Sequence, residues 1–209
     1  MSTTDDERPA FEWETRFRDN DTPWERGDLH PAARMWMDQG VLAAGKSVVI
    51  PGCGRCPEVA AFARAGLKVI AADLSDTAMA WQKSIFLKEK LSGEFIEGDI
   101  LRPGDQRWYP EDPVDLVYDQ TFLCAIPPRL REHYVYGLTH CWMKPGGQYL
   151  ALFMQKEERG GPPYGCPLDA MRELFSDRFW IWPEDEDFID IPHPSLNGKP
   201  ELAGVLTRR

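Results

Sequence analysis

The chain has 209 residues, 43% of them hydrophobic, with a formal net charge of −10 and a pI near 4.9. That length and apolar share suit one α/β domain with a sizeable core. The acidic balance argues against nucleic acid or an anionic membrane surface as partner, no apolar run is long enough to span a bilayer, and five cysteines without a framework spacing fit a reducing cytoplasm.

Residues 1–10 are polar and acidic, which predicts a disordered tail and not a signal peptide. From residue 11 the composition changes. Phe11, Trp13, Phe17, Trp24 and Trp36 stand among charges, and Trp13 and Phe17, four apart, share one face of a short helix. Two readings are open: the rings cap the core, or residues 11–40 form a helical lid whose aromatic faces attract a cationic ligand. Residues 31–42 read as a helix leading into the first strand.

Residues 47–50 are short, apolar and β-branched, as in a strand buried on both faces. Gly52 and Gly54 follow and let the backbone turn tightly beside a ligand. Pro57 suits the first turn of a helix over 58–65, which stops at Gly66. A second strand, 68–73, ends in Asp73, about twenty residues beyond the loop, where a carboxylate can accept from both hydroxyls of a ribose. This is a nucleoside-binding βαβ unit. Pro57 stands where a dinucleotide loop has its third glycine, and that favours S-adenosylmethionine, which brings no pyrophosphate to cradle. Cys53 and Cys56 form a C-x-x-C, but a redox dithiol explains neither the flanking glycines nor Asp73.

Ser75 caps a helix over 75–91. A third strand, 94–99, places Asp99 and Ile100 at its carboxyl end, with Asp99 able to accept from an adenine amino group and Ile100 or Leu101 against the ring. A fourth strand, 114–119, ends at Asp119, which joins the cofactor-binding candidates. The apolar stretch 120–126 that follows is unusual for a loop and predicts contact with a ligand or a buried helical turn. Then come a helix over 129–143, a strand over 148–155, a glycine- and proline-rich loop over 156–165, a helix over 168–175, a strand over 179–182, a solvated acidic stretch at 185–190 and a last strand over 202–207. The alternation predicts a doubly wound, mostly parallel seven-stranded sheet in one domain over 11–209.

The chain resembles the Rossmann-like class I S-adenosylmethionine-dependent methyltransferases. More narrowly it is similar to the thiopurine S-methyltransferase family, including its halide and thiol branch. Pro51-Gly52-Cys53-Gly54 and Asp73-Leu74-Ser75 look like the cofactor motifs, while the segment from Tyr118 to Ile126 and Gly161-Pro162-Pro163-Tyr164 look like the family's own. The resemblance implies that Trp13, Phe17 and Trp24 cover the methionine and sulfonium part, and that Gly52 and Gly54 contact the methionine end. It implies that Asp73 holds the ribose, with Leu74, Asp99 and Ile100 around the adenine. It turns Phe122 and Tyr164, with Trp24, toward the acceptor. Gln120 stands where thiopurine-type members often carry an arginine, which favours a small soft nucleophile such as a thiol, hydrosulfide, thiocyanate or halide.

Such acceptors need positioning and desolvation more than a strong base, because a thiol of pKa about 8.5 is already a few per cent ionised at pH 7. His30, His133, His140 and His193 are scattered, and none is assigned as a base. His30 lies near the lid, though a capping role before Pro31 accounts for it. No metal is expected, and the default state is a cytoplasmic monomer. An O- or N-methyltransferase, a non-catalytic nucleotide-binding module, and a redox protein using Cys53 and Cys56 remain as rivals.

Overall fold

The computed structural model describes residues 10–101, 110–194 and 198–209. The tail expected to be disordered lies outside the described residues, except for Ala10, which opens the first helix. The elements are α1 (Ala10–Asp19), α2 (Pro31–Asp38), β1 (Ser47–Pro51), α3 (Glu58–Arg64), β2 (Lys68–Asp73), α4 (Asp76–Glu89), β3 (Glu94–Glu97), β4 (Val114–Asp119), α5 (Pro128–Gly137), β5 (Met143–Met154), α6 (Leu168–Leu174), β6 (Trp180–Ile181), β7 (Ile189–Pro192) and β8 (Pro200–Arg208). A π-helical turn, Leu138–Trp142, joins α5 to β5.

One sheet runs in the order β3-β2-β1-β4-β5-β8-β6, with β7 also paired to β8. Strands β1 to β5 pair in parallel, while β8 runs antiparallel to β5 and carries β6 and β7 along its other edge. The seven strands of the main path are those the sequence predicts. The eighth, β7, begins within the acidic stretch 185–190, which is exposed as expected apart from half-buried Phe188. Pro183 cannot donate to the ladder, so the chain leaves the β8 edge after Ile181, makes a short 3₁₀ turn at Asp185–Asp187 and returns to the same edge.

The core lies on both faces of the sheet and follows the period-two alternation of its strands. Val48, Ile50, Val69, Ala71, Leu116, Tyr118, Leu150 and Leu152 face Trp36, Phe62, Met79 and Phe86 of α2, α3 and α4. Val49, Ala72, Val117, Tyr149, Ala151 and Phe153 face Tyr134, Met171, Phe175 and Trp180 on the other side. With both faces covered, loops and side chains at the strand ends are left to make a site.

β1 and β4 are neighbours, and the order of strand addition reverses between them. Doubly wound sheets bind ligands at such a reversal, outside the carboxyl ends of the strands.

Candidate active site

A cavity of about 300 Å³ lies at this reversal. Gly52 lines it from the end of β1, Ala72, Asp73 and Leu74 from β2, Gly98, Asp99 and Ile100 from beyond β3, and Thr121, Phe122, Cys124, Ala125 and Ile126 from the segment after β4. Trp13, Arg16, Phe17, Pro23 and Trp24 close one side, and Pro162, Pro163 and His193 another.

The glycine loop is clamped from beneath. Gly52 and Gly54 take φ of 55° and 48°, a region L side chains rarely adopt. A Cβ on Gly52 would sit 2.3 Å from Phe122 Cδ2, and one on Gly54 would sit 2.9 Å from Phe17 Cζ. Asp73 Oδ2 accepts from the Gly54 amide at 2.8 Å, and Oδ1 from the Ser75 amide at 2.8 Å. Burial pushes the Asp73 carboxyl up to about 6 against the pull of these amides. Gln82 on α4 donates to the carbonyls of Gly54 (3.0 Å) and Cys56 (2.9 Å). Ser75 accepts from the Ala78 amide as the cap of α4, as predicted.

The N-terminal segment is held over this loop by two polar anchors that sequence reading missed. Glu14 accepts from Ser75 Oγ and Thr77 Oγ1, both at 2.6 Å, and these hydroxyls hold its carboxyl below the usual range. Arg55, in the glycine loop, donates to both oxygens of Glu25 at 2.8 Å and also reaches Asn20 and Thr22. Trp13 and Phe17 each meet Trp24 edge-on, with ring centroids 5.4 and 5.9 Å apart. Nothing local singles out an arginine between two glycines and a proline, because its partners lie about thirty residues away.

Beyond β4 the floor is held by Asp119, which does not reach the lining. It is 1% exposed, and its oxygens accept from the amides of Phe122 and Leu123 and the hydroxyls of Tyr134 and Tyr149. The candidate cofactor ligand is therefore, in place, a post beneath the 120–126 segment. Leu101 is likewise buried in the core and off the lining, while Asp99 and Ile100 lie on it. Tyr164 is also off the lining. Its amide donates to the Cys124 carbonyl at 2.6 Å, and Pro162 and Pro163 take the wall position. Buried Arg131 binds the two loops together through the carbonyls of Leu123 (3.2 Å), Gly165 (2.9 Å) and Tyr164 (3.4 Å).

Gly54 faces a smaller neighbouring crevice together with Gln120. Gln120 accepts from the Tyr118 hydroxyl at 2.8 Å. His30 is fully buried away from the cavity, where its Nδ1 accepts from the Ala32 amide at the start of α2. Burial raises the Cys53 and Cys56 thiols well above their ordinary value, the opposite of what a redox dithiol at a helix start needs.

The model of the thiopurine S-methyltransferase family matches residues 9–195. The chain belongs to the thiopurine S-methyltransferase family. It is 32% identical to a probable thiol methyltransferase 2 of Arabidopsis thaliana, over 78% of this chain and 70% of that one. It is 28% identical to a thiopurine S-methyltransferase of Vibrio atlanticus, over 91% of each. Among solved structures, the 1,6-didemethyltoxoflavin-N1-methyltransferase of Burkholderia thailandensis, crystallised with S-adenosylhomocysteine, superposes with a TM-score of 0.74 at 16% identity, covering 95% of this chain and 86% of that one. At that identity the likeness speaks for the fold. As a member of its family the protein is an S-adenosylmethionine-dependent methyltransferase.

The lining suits that cofactor. Each Asp73 oxygen accepts one backbone amide and keeps a second lone pair for a ribose hydroxyl. Gly52 brings its backbone to the cavity without a side chain, and the place a Cβ would take is filled by the Phe122 ring. Rings of Trp13, Phe17 and Trp24 line the cavity, and aromatic rings at this point already attract cations, Arg16 lying over Trp24 at 5.8 Å and Arg55 over Phe17 at 5.6 Å.

Proposed function

We propose that this methyltransferase transfers the methyl group to a small soft nucleophile, first of all a thiol, by in-line displacement. The observation that carries the reading is the acceptor flank: Phe122, Cys124, Ala125, Ile126, Pro162 and Pro163 make it largely apolar. A large polarisable anion loses less on leaving water than an alkoxide does, so a dry wall favours sulfur over oxygen. The cation of the lining, Arg16, is ion-paired with Glu12 and Asp21 on the α1 side. Trp24 and Phe122 are assigned to holding the acceptor in line, and Trp13, Phe17, Gly52, Gly54, Asp73, Leu74, Asp99 and Ile100 to holding the cofactor. Tyr164 supports the loop behind Pro163.

Residues 11–40 are read as a lid within one domain over 11–209. The anchors at Glu14 and Arg55 and the single sheet with a core on each face support this. A cytoplasmic monomer is the working state. It is supported by five free cysteines and by the acidic surface charge. No helix of the described residues is long and apolar enough to cross a membrane.

The second reading, methylation of thiocyanate or halide, uses the same dry wall and is favoured by relatives named thiocyanate methyltransferase from Arabidopsis thaliana and Brassica oleracea. A thiopurine is less favoured, because Gln120 is turned to Tyr118 and brings no charge to the main cavity. Initial rates of S-adenosylhomocysteine release across alkane thiols, hydrosulfide, thiocyanate, iodide and a thiopurine decide the order. Turnover confined to oxygen or nitrogen acceptors would remove the reading.

A further inference from the structure

Burial acts in two directions on a thiol. It strips water from a thiolate and so activates it, but it also holds the proton on the neutral form. Cys124 is a thiol in the cavity wall, and burial raises it well above its ordinary value. A substrate thiol seated beside it meets the same surroundings. Thiocyanate and iodide arrive as anions and need no proton removed.

The titratable lining groups among the described residues are Arg16, Asp73, Asp99, Cys124 and His193. Arg16 has no acceptor. Asp73 is bound by two backbone amides, Asp99 Oδ1 accepts from the Leu101 amide, and both stand at the ends of β2 and β3, across the sheet reversal from β5 and β8. His193 is placed differently. It follows β7, and its amide donates to the Lys199 carbonyl at 2.9 Å. Glu201 of β8 pairs with Met154, at the carboxyl end of β5, so this corner lies on the ligand side of the sheet, on the flank of Pro162 and Pro163.

Behind His193 lies a buried ionic cluster. Glu201 is 1% exposed; its Oε2 receives His30 Nε2 at 3.2 Å and Arg26 Nη2 at 3.1 Å. The same Arg26 nitrogen donates to the carbonyl of Pro192, next to His193, at 2.8 Å. Glu201 Oε1 is buried without a hydrogen-bond partner. Ile191 faces Glu201 across the ladder, and His193, two residues on, shares that face. Burial holds the His193 imidazole below its ordinary value, helped by Arg26 and His30 and opposed by Glu201. The ring is therefore neutral at pH 7, and Glu201 is at hand to stabilise the cation formed when a proton arrives.

We propose that His193 is the proton acceptor for thiol substrates. This rests on the S-methyltransferase reading above. The S–H bond breaks and its proton passes to a ring nitrogen of His193 as the sulfur lone pair attacks the methyl carbon. The carbon–sulfonium bond breaks, and its electron pair stays on the departing sulfur. The products are a methyl thioether, S-adenosylhomocysteine and an imidazolium, which returns its proton to water as the products leave.

The test compares the intact protein with His193→Asn and His193→Gln on alkane thiols of graded acidity and on thiocyanate, with S-adenosylhomocysteine titration to verify the folded cofactor site. The expected result is a fall of about 10²-fold in kcat/KM for the least acidic thiol, smaller for more acidic thiols, and a like fall in the thiol-to-thiocyanate ratio. In the parent, kcat/KM for a thiol levels off below the ordinary histidine value of about 6.5, where the variants climb toward the thiol's own value of about 8.5. Equal losses on thiols and thiocyanate overturn the proposal, as does an unchanged thiol rate. If the variants do not fold, a parent profile that climbs to the thiol's own ionisation overturns it by itself. Failure of the underlying reading looks different: a parent protein that binds S-adenosylhomocysteine and methylates neither thiols nor anions.

Discussion

Replacing Asp119 measures how far the cavity floor depends on one buried carboxylate. Its Oδ1 accepts from the amides of Phe122 (3.2 Å) and Leu123 (3.0 Å), and its Oδ2 from the hydroxyls of Tyr134 (2.7 Å) and Tyr149 (2.8 Å). Asp119→Ala strands all four donors, at about 1–3 kcal/mol for each that water cannot reach. Removing the charge gives some of this back, since burial raises the Asp119 carboxyl above its ordinary range and its ionised form is costly there. Breaking a buried charged cluster by truncating one member typically costs about 3–5 kcal/mol net, and at about 2–4 °C per kcal/mol for a chain of this size the melting temperature falls by roughly 6–20 °C. Asp119→Asn behaves differently. It keeps an oxygen on the two amides and turns its NH₂ toward the tyrosine oxygens, which can accept, so about half the loss is expected. Thermal unfolding followed by circular dichroism gives the stabilities, and acceptor KM follows the 120–126 segment. An Asp119→Ala protein that melts within about 2 °C of the parent would refute the reasoning.

Three further outcomes follow from the same geometry. Gly52→Ala puts a Cβ 2.3 Å from Phe122 at a φ of 55° and should weaken S-adenosylhomocysteine binding by about tenfold or more in calorimetry, given a backbone cost of about 1–2 kcal/mol before any steric one. Arg131→Met unties the 120–126 and 161–165 loops and should raise acceptor KM by about tenfold, the loss of roughly one charge-assisted bond, with little change in S-adenosylhomocysteine affinity; equal losses on both ligands would contradict it. The folded Asp73 keeps its proton up to about 6, whereas the unfolded chain releases it near 3.8, so the ligand-free protein loses stability as pH rises across that window. Cofactor binding prefers the ionised form with all its lone pairs, so calorimetric affinity should hold above about pH 6 and decline below it.

The part of the cavity built by β1 and β2 was legible because its information is local. A strand, two glycines, a helix and an acidic strand end lie within residues 47–73, and the βαβ unit forces them together whatever the rest of the chain does. The short apolar run 47–50 likewise read as a strand buried on both faces, and it is. The opposite wall was legible only in its apolar segment 120–126, which reaches the lining as expected; what holds that wall was not, because its parts meet only through long-range pairing. Arg131 reads as a surface charge on a helix until the 161–165 loop folds onto it. Asp119 reads as a ligand at a strand end until two tyrosines from α5 and β5 claim its oxygens. Tyr164 reads as facing the acceptor until its amide is tied to Cys124.

His193 shows the same limit most sharply. Between two prolines, after an acidic stretch taken as solvated, it looked like one more scattered histidine. Its position follows from β7 and β8 forming a pair, and that pair exists because Pro183 expels the chain from the edge and Ile189 to Pro192 bring it back. An antiparallel return from β5 must place its turn at the carboxyl ends of the parallel strands, the side where the ligand sits. Had the eighth strand been read, the histidine following it would have been a site candidate on topology alone. On the proposed reading, an apolar wall raises the pKa of a thiol seated against it, so a site that favours thiols must also supply somewhere for the proton to go. The turn after β7 is where the sheet's own connectivity can put such a group.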